Sequence, residues 1–552
     1  MDQSVGEALE TAPGGAEPRA QAAPVNDAVQ ALRAKIAPDM DFTSASAAVR
    51  QLNKLRRQGD VRGAVSTRIA VLGSTTTTQL ASFLNLFLFA QNIDVEIYEA
   101  PYGLLRQEIL DPTSALYKFK PNFIFIANTR RDLGAMPALS DSRETVDQLI
   151  ADTGGEWEML WQTARERLDC QIIQNNFDPP PVQVFGSIEA IYPGAPGYFI
   201  DGVNRELARR VPRWVSIHDL AGLAATVGRW NWGDDRFFHL AKLPCAPEHL
   251  ALYAHGVATL VNARLGRSRK CLVLDLDNTL WGGVVGDDGL AGINIGQGDA
   301  VGEAFAAFQR YAKDLAARGV ILAVCSKNEE KNAREPFEKH SDMVLRLEDI
   351  SCFVANWDDK AGNIRRIARE LNIGLDSLVF ADDNPAERAI VRQFVPEVAV
   401  PELPADPADY IRAIEKHRYF EMIAVSEEDL KRTEMYRANA ERREMAGGAA
   451  DMDTFLRSLD MKGWIGPVGE LELDRTVQLI GKSNQFNLTT RRHSAGDVQK
   501  MMESGEWVTR VVKLTDKFGD NGLICVLFAR HDGDALHLDT WLMSCRVLKR
   551  GV

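Results

Sequence analysis

The hydrophobic pattern changes character several times along the chain. Apolar residues at Val29, Leu32 and Ile36, and again at Val49, Leu52 and Leu55, recur three and four positions apart, which predicts two short helices between Asp27 and Arg57. Before them, residues 1 to about 25 are rich in Ala, Gly, Pro and Glu, with too few large apolar groups to offset the entropy of ordering, and are expected to form a disordered tail. From Arg68 the pattern becomes short continuous apolar runs, "RIAVLG", "DVEIYEA" and "NFIFIAN", separated by helical stretches such as "QLASFLNLFLFA". That alternation predicts a parallel sheet with helices on its faces. "VPRWVSIHDL" and "EHLALYAHGVATLVNA" supply its last strand and closing helix, so this unit is expected to span 66–267.

A second α/β unit, 268–405, begins at "RKCLVLDLDNTLW" and continues through strands at "GVILAVCSKN", "MVLRL" and "SLVFADDN". It reads as a doubly wound sheet with polar residues gathered at the C-terminal ends of the strands, the edge where such sheets bind ligands. The prolines of "VPELPADPADY" mark its end, and a charged helical linker is expected over 406–443. In 444–552, "RVVKLTDKFGD", "GLICVLFARHDG" and "ALHLDTWLMSC" predict a mostly antiparallel sheet with hairpin turns at Asp520-Asn521-Gly522 and His531-Asp532-Gly533-Asp534. The fold class is therefore α/β in the first two units and α+β in the third.

Composition narrows the function. With 45% hydrophobic and 26% charged residues in 552, the chain can bury several cores. A net charge of −13 argues against a general nucleic-acid surface or attraction to an anionic membrane. The seven cysteines are dispersed, without CxxC spacing, which fits reduced cytosolic thiols and no structural zinc. The apolar run Leu80 to Ala90 is far short of the ~20 residues of a membrane span. The first residues, with Glu7 and Glu10, lack the basic and apolar regions of a signal peptide. A cytoplasmic location is expected.

The chemistry gathers in the second unit. Leu272, Val273 and Leu274 form a buried strand ending in Asp275-Leu276-Asp277-Asn278-Thr279. Carboxylates at i and i+2 leave a sheet edge on the same side, and burying both is costly unless a cation joins them; a hard divalent ion with oxygen ligands, Mg²⁺ by preference, fits. Ser326 follows "ILAVC", Lys360 begins a helix in "NWDDKAGN", and Asp382-Asp383 follow "SLVF". A nucleophile, neutralisation of phosphate oxygens and an acid/base are what phosphoryl transfer requires. An Asp-x-Asp-x-Thr string alone is commonplace; the ordered set carries the argument.

These four motifs resemble those of the haloacid dehalogenase superfamily. The resemblance implies that Asp275 attacks phosphorus to give an aspartyl-phosphate and that Asp277 protonates the leaving oxygen and then activates water. It implies that Ser326 and Lys360 hold the phosphoryl oxygens, with Thr279 and Asn328 in the substrate site. Mg²⁺ is then held by Asp275, Asp277 through its backbone carbonyl, and Asp382 or Asp383. Gly282, Gly283 and Gly286 leave little room for a large cap domain, so the site is expected to be open; an ordinary Gly-rich hairpin is the alternative reading.

"LDLDNTLWGGVVGDDG", "LAVCSKNEE", "FVANWDDK" and "VFADDNPAER", with "KSNQFNLTTRR", "DKFGDNG" and "DTWLMSCRVLKRGV" beyond the core and "LGSTTTTQL" and "PYGLLRQEILDPTSALY" before it, resemble the FkbH-like branch of that superfamily. That resemblance implies removal of phosphate from a 1,3-bisphosphoglycerate-derived group and loading of glyceryl onto an acyl carrier protein in polyketide-type biosynthesis. The alternatives are a simple Mg²⁺-dependent phosphatase on a soluble phosphate ester, or a scaffold that binds a carrier protein. A thiol holding the acyl group would come from Cys352, Cys271 or Cys545, although free cysteines are more often small buried hydrophobes. Cys325 precedes Ser326 on a strand and should face the other way.

The first unit resembles an SGNH hydrolase domain, with Ser74 after the first strand, Asn128 after a later one, and Asp235 and His239 at a departing spacing; a docking or scaffold role is expected over an esterase. The third resembles a GNAT fold whose pyrophosphate-loop position is taken by "RVLKRG", Arg546 to Gly551, and it reads as C-terminally incomplete. Arg546, Lys549 and Arg550 would be its phosphate contacts.

Overall fold

A computed structural model describes residues 22–59, 61–425, 451–482 and 495–544, together with 435, 438, 442, 445, 487, 489, 491, 493 and 547. The expected N-terminal tail before residue 22, most of the linker, Cys545, and the Arg546, Lys549 and Arg550 positions lie outside the described residues. The chain divides into two compact units, one of 1–149, 177–201 and 220–255, the other of 150–176, 202–219 and 256–552.

In the first unit, helices Ala22–Lys35 and Phe42–Gln58 precede the strands. The second is capped by Asp41, whose carboxylate accepts from Ser44 N at 2.7 Å. Strands β1 (Val65–Gly73), β2 (Ile93–Glu99) and β3 (Phe123–Ala127) pair in parallel with β1 in the middle. Between β1 and β2 the helix Thr78–Ala90 buries Leu80, Phe83, Leu84 and Phe87. A parallel pair cannot be closed by a tight turn, so each crossover needs such a helix.

The second unit opens with the parallel pair β4 (Gln171–Asn175) and β5 (Val215–His218). It then builds the sheet that carries the chemistry: β6 (Cys271–Leu274), β7 (Ile321–Ser326), β8 (Cys352–Ala355) and β9 (Leu378–Ala381), all parallel, in the order β8-β7-β6-β9. Strand alternation divides the core into two layers. Leu272, Leu274, Leu322 and Val324 pack with Phe305, Phe308 and Ala312 of the helix Ala300–Ala317. Cys271, Val273, Ala323 and Cys325 pack on the other face with Ile364 and Ile367 of the helix Lys360–Leu371 and Val391 of the helix Pro385–Phe394. Fully burying side chains such as Ile364 and Ile367 contributes about 1.5–3 kcal/mol each, which fixes the helix whose first residue is Lys360.

The strand expected at "MVLRL" does not form. Val344 N and Leu345 N donate to the side chain of Gln309, at 2.9 and 3.0 Å, instead of to a neighbouring strand. The edge strand is β8, nine residues later than Met343.

The last strands are β10 (Lys462–Gly466), β11 (Trp507–Asp516), β12 (Gly519–Asp532) and β13 (Ala535–Met543), antiparallel in chain order, with helices Glu470–Lys482 and Ala495–Glu503 contributing to the core. The β12–β13 turn falls at Gly533-Asp534 as expected, but the β11–β12 turn is at Lys517-Phe518. Asn521-Gly522 lies inside β12, where Gly522 takes φ +65° beside register shifts at Lys513. An Asn-Gly pair suits a bulge as well as a turn, because both need a residue at positive φ.

Candidate active site

Strand β6 delivers Asp275 to the C-terminal edge, where its backbone N–H donates to Ala381 O of β9 at 3.0 Å. The chain then turns at Asn278, which takes φ +55°. Its side chain accepts from Gly283 N at 3.0 Å and its carbonyl from Tyr410 Oη at 3.0 Å. Gly283, at φ +91°, is required: a Cβ there would sit 2.7 Å from Asp288 Oδ2.

Lys360 is 3% exposed, at the start of a helix capped by Asp359. Its Nζ lies 2.9 Å from Asp275 Oδ1 and 2.5 Å from Asp382 Oδ2. Burial works to lower the Lys360 pKa, and the two carboxylates overcome it, holding the ammonium above the ordinary lysine value. Burial raises the Asp275 pKa, opposed by Lys360, the Leu276 N–H and the Ser326 hydroxyl. Asp382, fully buried, is pushed up to about 6 by burial and by the Asp275 charge, against the pull of Lys360. Asp383 is raised by burial and by Asp382, while Thr279 Oγ1 donates to it at 3.3 Å.

One carboxylate oxygen from each of Asp275, Asp382 and Asp383 falls within 4.8 Å of the others. Asp275 Oδ1 is buried, and among the described residues the Lys360 ammonium at 2.9 Å is the charge that faces it. Three converging carboxylates against one ammonium, all with oxygen donors, fit a hard divalent cation. Asp277 is differently employed. Its Oδ1 accepts from Trp281 Nε1 at 2.9 Å and Val285 N at 3.0 Å, and its Oδ2 from Asn328 Nδ2 at 2.9 Å. Its carboxylate stands outside the metal-ligand group, leaving the backbone carbonyl as the ligand that residue 277 was expected to offer. Burial raises its pKa against those donors.

Ser326 ends β7, 2% exposed, and its hydroxyl bonds Asp275. Asp275, Asp277, Thr279, Ser326, Asn328, Lys360, Asp382 and Asp383 thus come together at one sheet edge. Of the candidate acyl thiols, Cys352 and Cys271 stand apart from them. Cys352 was expected in the loop approaching Lys360, but it begins β8, paired with Ala323, three residues before the Ser326–Ala355 pair. At about 3.3 Å per residue it is roughly 10 Å from the catalytic edge. Its Sγ donates to Glu370 Oε2 at 3.1 Å. Cys271 begins β6 at the same far end, and burial lifts its pKa well above the ordinary thiol value. Strand register thus sets both candidate acyl thiols at the end of the sheet opposite the carboxylates.

In the first unit Ser74 bonds the carboxylate of Asp132. Asp235 lies 3.5 Å from Arg131, and His239 is exposed with its ring against Phe238. Asn128 is fully buried at the end of β3.

Two residues of the site escaped the sequence reading, Trp281 and Arg388. Trp281 is fully buried, four residues after the carboxylate it holds. Arg388 bonds the carbonyls of both Asp382 and Asp383. An indole and a guanidinium a few residues beyond each acidic motif were the available signals.

The parallel sheet, its edge carboxylates and its buried lysine define a haloacid dehalogenase-type, Mg²⁺-binding phosphatase domain. Residues 68–262 match the family FkbH, N-terminal domain. A solved structure, the N-terminal part of the protein BF1531 from Bacteroides fragilis containing phosphatase domain complexed with Mg, is 35% identical at a TM-score of 0.61, covering 70% of this chain and 100% of that one. The chain belongs to the family of proteins that join an FkbH N-terminal domain to such a phosphatase domain. Nothing among the curated proteins matches it.

Proposed function

We propose that the protein is a Mg²⁺-dependent phosphatase that removes phosphate from a small phosphate ester through an aspartyl-phosphate on Asp275. The observation that carries this reading is the convergence of Asp275, Asp382 and Asp383 with Lys360 on one sheet edge.

Asp275, Asp382 and Asp383 would hold Mg²⁺, which when bound supplies positive charge to the phosphoryl oxygens. An Asp275 oxygen attacks phosphorus, and the bond from phosphorus to the leaving oxygen breaks. Asp277, whose hold on a proton burial strengthens, gives a proton to the leaving oxygen. Asp277 then takes a proton from water as that water attacks phosphorus, releasing phosphate and regenerating Asp275. Lys360 and the Ser326 hydroxyl neutralise and orient the transferring group; Thr279, bonded to Asp383, and Asn328, bonded to Asp277, complete its substrate site. Asp275→Asn should lower phosphate release from p-nitrophenyl phosphate by about a thousandfold or more. Unchanged release would refute the nucleophile assignment.

The match to the FkbH N-terminal domain favours a second reading, in which the phosphate comes from a 1,3-bisphosphoglycerate-derived group and glyceryl passes to an acyl carrier protein. With Cys271 and Cys352 at the far end of the sheet, the acceptor in this reading is the carrier's own thiol. The SGNH-like strands and the GNAT-like α+β region then serve docking and carrier contact. Intact mass spectrometry of carrier proteins incubated with enzyme, Mg²⁺ and 1,3-bisphosphoglycerate separates the readings: a glyceryl adduct on the carrier supports the second, and free phosphate without an adduct supports the first.

A further inference from the structure

Arg388 lies in the first half of the helix Pro385–Phe394, and only 5% of it is exposed. Its Nη1 donates to the carbonyl of Asp382 at 2.7 Å and to that of Asp383 at 2.6 Å. Its Nε and Nη2 both donate to Glu402 Oε2, at 3.2 and 2.9 Å. The other oxygen of Glu402 lies 2.5 Å from Arg392 Nη1. One planar group thus ties the backbone of two adjacent acidic residues to a carboxylate beyond them in the chain. A lysine has one charged point and no fork, so it cannot make these contacts together.

The arrangement has a physical purpose. Neighbouring carboxylates repel, and a loop free to turn would swing them apart. Asp382 Oδ1 accepts from Asn384 N at 2.8 Å, and Asp383 N donates to Thr279 Oγ1 at 3.2 Å, which orients each residue locally. Holding both carbonyls fixes the dihedral angles between them, and with those the direction in which the carboxylates meet Asp275.

We propose that Arg388, locked in place by Glu402, is a positioning residue that sets the affinity of the Asp275, Asp382 and Asp383 group for Mg²⁺. The proposal rests on the reading of those three residues as the cation ligands. Groups that orient metal ligands commonly contribute a factor of about 10–100 in metal affinity.

Titration of Mg²⁺ into the full chain by calorimetry tests it without substrate. Arg388→Lys should weaken binding by about tenfold or more. Glu402→Gln, at a side chain that is 65% exposed and so compatible with folding, should weaken it by a smaller factor in the same direction. Arg392→Gln loses its contact with Glu402 but touches neither carbonyl; it should lower the melting temperature and leave Mg²⁺ binding within about twofold of wild type. Raised Mg²⁺ should restore phosphate release to Arg388→Lys, a split that general damage to the fold does not produce. Wild-type affinity in Glu402→Gln, or equal weakening in Glu402→Gln and Arg392→Gln, overturns the proposal. Asp382→Asn separates the two levels: if it binds Mg²⁺ as wild type does, the ligand reading falls and the proposal with it; if it loses binding while Arg388→Lys keeps it, only the positioning role falls.

Discussion

Two parallel-strand edges in this chain carry polar residues, and they treat them in opposite ways. Where β1–β3 end, each carboxylate has its own donors: Asp178 holds Arg130 through the backbone N–H and the guanidinium, Asp132 holds Thr129 N and Ser74, and Glu99 holds Thr77 and Thr78 at 2.8 Å each. Where β6, β7 and β9 end, three carboxylates are driven together and share one ammonium. The carboxylates of the first edge are each closed by their own donors. The second is complete only with a cation, and that excess of charge, more than the presence of acidic residues, marks a phosphoryl-transfer site.

The comparison breaks most visibly at Lys360. Removing one partner of a buried charge cluster costs about 3–5 kcal/mol, so Lys360→Met should lower the melting temperature of the metal-free protein strongly, with Mg²⁺ recovering part of the loss. A variant as stable as wild type without Mg²⁺ would mean that the three carboxylates do not need the ammonium.

The next effect is a pH dependence. In the metal-free protein the Asp382 carboxyl keeps its proton up to about pH 6, whereas in the unfolded chain it ionises near 4. The folded state therefore binds more protons in that window, and this group's contribution to stability falls as pH rises from about 4 through 6. Asp275 and Asp383 shift in the same direction. Because Mg²⁺ binds the ionised form, the rise in melting temperature that it produces should be largest above pH 6 and fade toward pH 4. A Mg²⁺ effect independent of pH, measured by thermal shift, would contradict the account.

The smallest effect belongs to the closed edge. Ser74→Ala removes one hydrogen bond, worth about 0.5–1.5 kcal/mol, and should leave phosphate release unchanged. Labelling of Ser74 by a fluorophosphonate would show that this edge is not closed.

Much of this is legible in the sequence. Alternating strands and helices gave the sheets, and the carboxylates, serine and lysine at strand ends gave the edge, because a residue just past a buried strand has few places to go. Register was not legible. Cys352 looked close to Lys360 in sequence, yet it starts β8 at the far end, since Gln309 satisfies the backbone at Val344 and Leu345 and shifts the edge strand later. Trp281 and Arg388 were hidden for another reason: their importance lies in what a long side chain reaches back to, which spacing alone does not reveal. Among the described residues no helix is long and apolar enough to cross a membrane, in line with the short apolar runs.

The most direct test of the central claim is to trap the covalent state. The full chain with Mg²⁺ and a slowly turned-over phosphate ester is quenched in acid, reduced with borohydride, digested and sequenced by mass spectrometry. Reduction of an acyl phosphate converts its aspartate to homoserine, and the account predicts that conversion at Asp275, dependent on substrate. Conversion at another aspartate, or none at Asp275 while phosphate is being released, would contradict it.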